Sequence, residues 1–230
     1  VAERFEQIAR EVCETREAAG EWLGLPALWE TSRESIVDAV RAYVEWELGF
    51  LHDKGEYPML VEHQFGYDPE VLVLEGRDVD GRPARLKLRG KIDRVDRTGA
   101  PDDPVLHVLD FKSGSTPGAN DYEDGTVLQG ALYLEALASQ GHRVKRGRYR
   151  SIKKPGSPQN GGLIEHGSEM YDSALAVAFS IPLRVCAGRF EAVASRKGGW
   201  KDWDVPVEIR RSSATIPEGH RFGDVGRADE

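Results

Sequence analysis

From residue 3 to Gly55 apolar side chains recur every three or four positions, the period of one face of a helix. Phe5, Ile8, Val12 and Cys13 form a stripe over residues 3–19 with charges on the remaining faces, and Gly20 stops the pattern, so an amphipathic surface helix is expected here. A connector containing Trp22 and Trp29 and broken by Pro26 follows, its tryptophans suited to packing between helices. Thr31-Ser32-Arg33-Glu34 has the form of a capping box. Behind it Ile36, Val37, Val40, Tyr43, Val44, Leu48 and Leu51 keep helical spacing to Gly55, which predicts a second helix covering one side of a sheet.

After Pro58 the period changes. Met59 to Tyr67 and Val71 to Gly76 read as strands, and Asp80-Gly81 is a turn leading into a long strand from about Arg82 to Arg97. On that strand Leu86, Leu88 and Ile92 share one face, while Lys87, Arg89, Lys91 and Asp93 share the other. Val105 to Phe111 is almost wholly apolar, as a central strand covered on both sides would be. His107 faces away from Asp110 and so reads as a core histidine. Thr126 to Gln140 predicts a helix packed through Leu128, Leu132, Leu134, Leu137 and Ala138. Arg143 to Ile152 predicts a strand with basic outer positions, and 155–162 a loop. Residues 169–190 predict a helix interrupted or kinked near Pro182, 203–209 a short strand, and 212–230 a loosely held tail. With no internal repeats, residues 1–211 read as one domain.

With 40% hydrophobic and 30% charged residues the chain has the make-up of a soluble globular protein. Its longest apolar runs, such as Ala174 to Phe179, are too short for a membrane span. It opens at Val1 with no initiator Met and no signal segment, so it reads as a piece of a longer protein. Cys13 and Cys186 are too distant in sequence for a zinc or iron–sulfur spacing. They suit a reducing, cytoplasmic compartment, as buried thiols rather than a disulfide.

A net charge of −8 argues against a nucleic-acid partner until its distribution is considered. Residues 1–80 hold 19 acidic against 7 basic residues, a balance of −12, which leaves +4 for the rest. Basic residues gather at Arg82, Arg85, Lys87, Arg89, Lys91, Arg94 and Arg97, and again from Arg143 to Lys154 through Arg148 and Arg150. Such runs are commonly solvated faces. Their position on either side of the candidate site favours phosphate contact.

That candidate site lies between Gly90 and Gly114. Side chains alternate along a strand, so Asp110 and Lys112 share a face and Phe111 takes the other, while Asp93 ends the preceding strand within reach. Two carboxylates with the Phe111 backbone carbonyl make an all-oxygen site suited to Mg²⁺ or Mn²⁺. A lysine beside such an ion can hold a water or offset charge on a phosphate, which is equipment for phosphodiester hydrolysis. Taken alone, an Asp-x-Lys at a strand end is usually a solvated ion pair. Glu62 and His63 are consecutive and face opposite ways, so a regular strand could not bring both to one metal. The Gly114–Gly125 loop lacks the Gly-Lys-Ser/Thr ending of a P-loop. Gln129 and Tyr133, at i and i+4, share one helical face.

Gly90-x-Ile-Asp-Arg-Val-Asp96, Leu109-Asp-Phe-Lys-Ser-Gly114 and Gln129-x-x-x-Tyr133, in this order, resemble the RecB-like branch of the PD-(D/E)XK nuclease superfamily over about residues 55–150. The resemblance implies a restriction-endonuclease-like α/β core, a mixed central β-sheet flanked by α-helices. It implies that Asp93, Asp110, Lys112, Gln129 and Tyr133 are catalytic, with Mg²⁺ or Mn²⁺ held by Asp93, Asp110 and the Phe111 carbonyl. It points to Glu62 in the Pro58, Glu62, Phe65 stretch, and it makes DNA the ligand expected at Lys87, Arg89, Lys91, Arg148 and Arg150. A recombination or repair exonuclease or endonuclease working with a helicase is the implied setting.

The chain departs from the branch in three ways. No Gly-x-x-x-His motif precedes Glu62, so that motif is expected upstream of Val1. Ile92 stands where proline is usual before the aspartate. The four cysteines that hold an iron–sulfur cluster in some members are absent. The alternatives are a degenerate nuclease fold serving as a DNA-binding or scaffolding module, against which the intact Asp93, Asp110 and Lys112 argue, and an unrelated α/β domain with a chance motif.

Overall fold

The helical period at the front of the chain begins earlier than the capping box suggested. A computed structural model describes residues 2–189 apart from 22, 68–70, 115, 119–120, 123–126 and 157–161. In it α1 spans Ala2–Ala18 and α2 spans Pro26–Lys54. Pro26 starts α2 instead of breaking a connector, because a proline in the first helical turn needs no N–H partner and brings a helical φ with it. Leu25 stands at the N-cap with φ −68° and ψ 129° and no side-chain cap, and Gly55 at φ 61° closes the helix. Thr31 to Glu34 therefore lie inside α2. The inner face of α1 is Phe5, Ala9 and Cys13, one face at i, i+4 and i+8, while Ile8 and Val12 stay exposed. Trp29 Nε1 donates to Glu17 Oε1 across the pair at 2.7 Å; Trp22 lies outside the described residues.

The strands are β1 (Tyr57–Phe65), β2 (Leu72–Arg77), β3 (Pro83–Leu88), β4 (Gly90–Ala100), β5 (Asp103–Lys112), β6 (Val144–Ser151) and β7 (Leu163–Glu165), with α3 (Gln129–Ser139) between β5 and β6 and α4 (Glu169–Cys186) after β7. The main sheet runs β1-β4-β5-β6-β7, parallel only between β5 and β6, where α3 makes the crossover. It is a mixed sheet flanked by helices, consistent with the restriction-endonuclease-like architecture. The long strand expected from 82 to 97 is broken at Arg89. Its first half pairs with β2 in a separate two-stranded sheet, and its second half enters the main one. A Cβ on Gly66 would lie 2.0 Å from the Leu88 carbonyl oxygen, and one on Gly90 2.6 Å from the Phe65 ring. The glycines let β1 pass where the two halves part. β7, only three residues long, has no period to betray it.

The described residues form two units, one within 1–74 and 87–175, the other of 75–86 and 176–189. In the second, the Phe179 ring occupies the space above Gly76, and the Ser180 hydroxyl accepts the Val79 N–H at 3.3 Å. The buried Asp78 carboxylate accepts the N–H groups of Asp80 and Arg82, closing the turn read from Asp80-Gly81. α4 continues through Pro182, and the strand and tail expected at 203–209 and 212–230 lie outside the described residues.

In the first unit the two faces of the main sheet differ. Under α3 the core is apolar: Val95, Leu106 and Val108 meet Leu134 and Leu137, with Tyr122, Tyr149 and Ile164 alongside. Opposite lies a layer of buried charge, in which Glu47 of α2 pairs with Arg94 and, at 3.6 Å, with Arg150, while Glu56 pairs with Arg148 and, at 3.0 Å, with Arg146. Arg94 also meets Asp96 at 2.8 Å, and the Arg150 guanidinium lies over the rings of Trp46 and Phe50. Arg148 and Arg150, expected at a DNA surface, are instead 8% and 6% exposed and committed to carboxylates. The alternation of β6 turns them toward α2 rather than toward water.

His107 is a core histidine, its Nε2 3.0 Å from Thr98 Oγ1. Cys13 is half-buried and Cys186 exposed, both free and neither buried as expected, because α1 is a surface helix and Cys186 ends α4. Among the described residues no helix is long and apolar enough to cross a membrane.

Two stability effects follow. Burial lowers the His107 pKa from 6.5 to about 4, with Glu56 opposing. The unfolded chain therefore takes the proton first, and stability falls as pH drops from about 6.5 toward 4, by roughly 1 kcal/mol per pH unit. Urea unfolding at stepped pH should show that slope, and it should flatten in His107→Gln. Removing Glu47 leaves Arg150 without its carboxylate, so Glu47→Ala should cost about 3–5 kcal/mol in the same assay.

Candidate active site

β4 and β5 are antiparallel with Arg94 opposite Leu109, so one residue further along both strands Asp93 and Asp110 come opposite each other. Asp93 Oδ2 accepts the backbone N–H of Phe111 at 2.8 Å. Phe111 is itself anchored, with the Tyr43 ring edge-on at 5.6 Å and the Arg94 guanidinium 5.5 Å from its centroid. Residues on either side of Phe111 turn to the other face, so Asp110 and Lys112 point together. Their charges meet at 2.6 Å.

Asp110 is 5% exposed. Burial pushes its carboxyl above the ordinary value against the pull of the Lys112 ammonium, and the Asp93 carboxylate pushes it further up. Lys112 Nζ also donates to Gln129 Oε1 at 3.2 Å and lies 5.1 Å above the Tyr149 ring. Gln129 Nε2 donates to Tyr133 Oη at 2.8 Å, and Tyr133 Oη donates to the Lys91 carbonyl at 2.8 Å. Burial raises the Tyr133 phenol above its ordinary value, with the Gln129 hydrogen bond opposing. One polar chain thus runs from β4 through α3 to β5.

The start of α3 fits closely at Gly130 and Gly147, where side chains would press on Tyr122 and Ile164. A Cβ on Gly147 would lie 3.5 Å from the Gly130 carbonyl oxygen and 3.1 Å from Ile164, and one on Gly130 2.9 Å from the Tyr122 hydroxyl. These two glycines were not singled out from the sequence, although a glycine inside a strand pattern signals close approach of another backbone.

Glu62 lies between Val61 and His63, whose partners on β4 are Arg94 and Ile92, and so stands across from Asp93. It has φ 50°, the sole non-glycine residue with positive φ among the described residues, and it is ion-paired with Lys91. Of the five cations expected at nucleic acid, Arg148 and Arg150 are buried elsewhere and Lys91 is engaged by Glu62. Lys87 and Arg89 remain exposed at the end of β3.

The donors fit a hard divalent cation. Asp110 Oδ2 is buried and meets the Lys112 ammonium at 2.6 Å, while Asp93 Oδ2 is taken by the Phe111 N–H. Magnesium commonly uses one or two carboxylates and completes its shell with water and phosphate oxygens. Among the described residues no group of three or more His, Cys, Asp or Glu could hold a metal ion.

Residues 1–192 match the family described as the PD-(D/E)XK nuclease superfamily. No curated protein matches the chain.

The left-handed backbone at Glu62 is costly for any side chain with a Cβ. Glu62→Gly should therefore be more stable than Glu62→Ala by about 1 kcal/mol, the reverse of the usual order in a strand. The urea midpoints of the two variants measure this; equal midpoints would mean the backbone there is ordinary.

Proposed function

The chain belongs to the PD-(D/E)XK nuclease superfamily, whose members are typically nucleases, and on that premise we propose that it is a Mg²⁺-dependent deoxyribonuclease of the RecB-like branch. The observation that carries the reading is the pairing of Asp93 with Asp110 across two strands, with the Lys112 ammonium 2.6 Å from the second carboxylate. Asp93, Asp110 and the Phe111 carbonyl would hold Mg²⁺ or Mn²⁺. The bound ion supplies a Lewis acid and lowers the pKa of a coordinated water.

The other steps belong to the chain's own side chains. Lys112 orients the attacking water and offsets charge gathering on the phosphate. Gln129 gives the ammonium a second partner beside Asp110, and Tyr133 holds Gln129 against the Lys91 backbone. Lys87 and Arg89 take the approaching phosphate backbone; the burial of Arg148 and Arg150 removes them from this role. We assign the activity to an exonuclease domain of a cytoplasmic recombination or repair protein partnered with a helicase, on the three motifs and their order.

A second reading, a catalytically silent DNA-binding module, is favoured by one observation: among the described residues no group of three or more His, Cys, Asp or Glu could hold a metal ion. Incubation with end-labelled linear DNA and Mg²⁺ separates the two. Asp110→Ala and Lys112→Ala should each lower the cleavage rate by about a hundredfold or more. Calorimetric titration with Mn²⁺ should show binding lost in Asp110→Ala and kept in Lys112→Ala. Equal cleavage by wild type and Asp110→Ala would sink the hydrolase, and binding without cleavage by the wild type would leave the silent module.

A further inference from the structure

The turn after β1 carries an exposed aromatic ring that the proposed chemistry does not use. Gly66, at φ 71°, lies so close to the β3–β4 junction that a Cβ there would be 3.0 Å from the Arg89 Cα. That approach sets Tyr67 beside Arg89, whose guanidinium is 5.9 Å from the ring centroid. Tyr67 is nevertheless 47% exposed, so the ring is not consumed by packing. With Gly66, Val71, Lys87, Leu88 and Arg89 it lines a groove of about 490 Å³.

Charge says what could lie in this groove. Neither Lys87 nor Arg89 has a carboxylate partner among the described residues, whereas Lys91, Arg94 and Arg148 each have one. A ring backed by the Arg89 guanidinium and flanked by Lys87 matches the pairing of base stacking with phosphate contact found in single-strand grooves. A duplex keeps its base faces stacked inside and could offer the ring only its backbone.

Arg89 directly precedes β4, on which Asp93 is the fourth residue. Phe65, two residues before Tyr67, meets the Tyr133 ring edge-on at 5.9 Å. From Arg89 to Asp93 is four residues, about 13 Å if extended.

We infer that the Tyr67 groove is a subsite for single-stranded nucleic acid, in which one base stacks on Tyr67 while adjacent phosphates meet Lys87 and Arg89. Its place beside the scissile phosphate rests on the nuclease reading above; the binding itself does not.

The test is fluorescence anisotropy of the full chain with a labelled oligo-deoxythymidine and with a blunt duplex of equal length, in EDTA so that nothing is cut. Tyr67→Ala should weaken single-strand binding about tenfold, and Tyr67→Phe should stay within about twofold of wild type. Duplex binding should change by less than about twofold in both variants. Arg89→Ala should weaken both ligands and lower the salt slope by about 1. Circular dichroism of each variant checks that the fold is kept.

The inference falls if Tyr67→Ala binds the single strand as wild type does, if it loses the duplex equally, or if the wild type binds no single strand. Cleavage by the wild type with Tyr67-independent binding would sink the subsite alone. Tyr67-dependent binding without cleavage would sink the nuclease alone.

Discussion

A carboxylate of one strand that accepts a backbone N–H of the next holds the centre of this molecule together. The β4–β5 ladder reaches Arg94 opposite Leu109, and beyond it β4 runs on beside β1. The Phe111 N–H would be left without a ladder partner there, and a buried backbone donor needs one. Asp93 Oδ2 supplies it. The bond joins the two strands by a side chain, one residue from Asp110 and one from Lys112, so the spacing of the acids and the end of the ladder are the same structural fact. Phe111 serves on both sides: its backbone secures Asp93, and its ring lies between Tyr43 and Arg94.

The ring ties the site to the charged layer beneath α2. Three acids and three arginines in a dehydrated space cost more to bury than a layer of leucines would. What they add is direction, since a guanidinium offers its donors in a fixed fork and accepts a ring on its face. Arg94 does both at once, paired with Glu47 and Asp96 and set over the Phe111 ring. The opposite face is close-packed and apolar, and there position comes from shape, through the contact of Gly130 with Gly147.

Alternation made much of this legible. That Asp110 and Lys112 share a face, that Phe111 is an anchor, that His107 is a core residue and that Gln129 and Tyr133 lie on one helical face can all be read without coordinates, because each depends on local period alone. Arg148 and Arg150 could not be read in that way. Arginine alternating with glycine and tyrosine looks like a solvated strand, and only the distant Glu47 and Glu56, brought over by α2, turn it inward. The break at Arg89 was hidden for a similar reason: alternation continues unbroken through it, and the cause is the passage of Phe65 and Gly66 from another strand. The start of α2 was misread because proline is a breaker within a helix and a good opening residue at its start. In each case the missing information was tertiary.

The polar chain across α3 also sets a length. Gln129 and Tyr133 are one turn apart, about 6 Å along the axis, and they reach a carbonyl on β4 and an ammonium on β5, strands that lie about 4.8 Å apart. The helix turn is thus a gauge between two neighbouring strands, with one contact made to each. Insertion of a single residue between the glutamine and the tyrosine would rotate one of them by 100° and leave half of the gauge pointing into the core. The interval between those two residues is therefore held by the same geometry that requires a glycine at 130 within it.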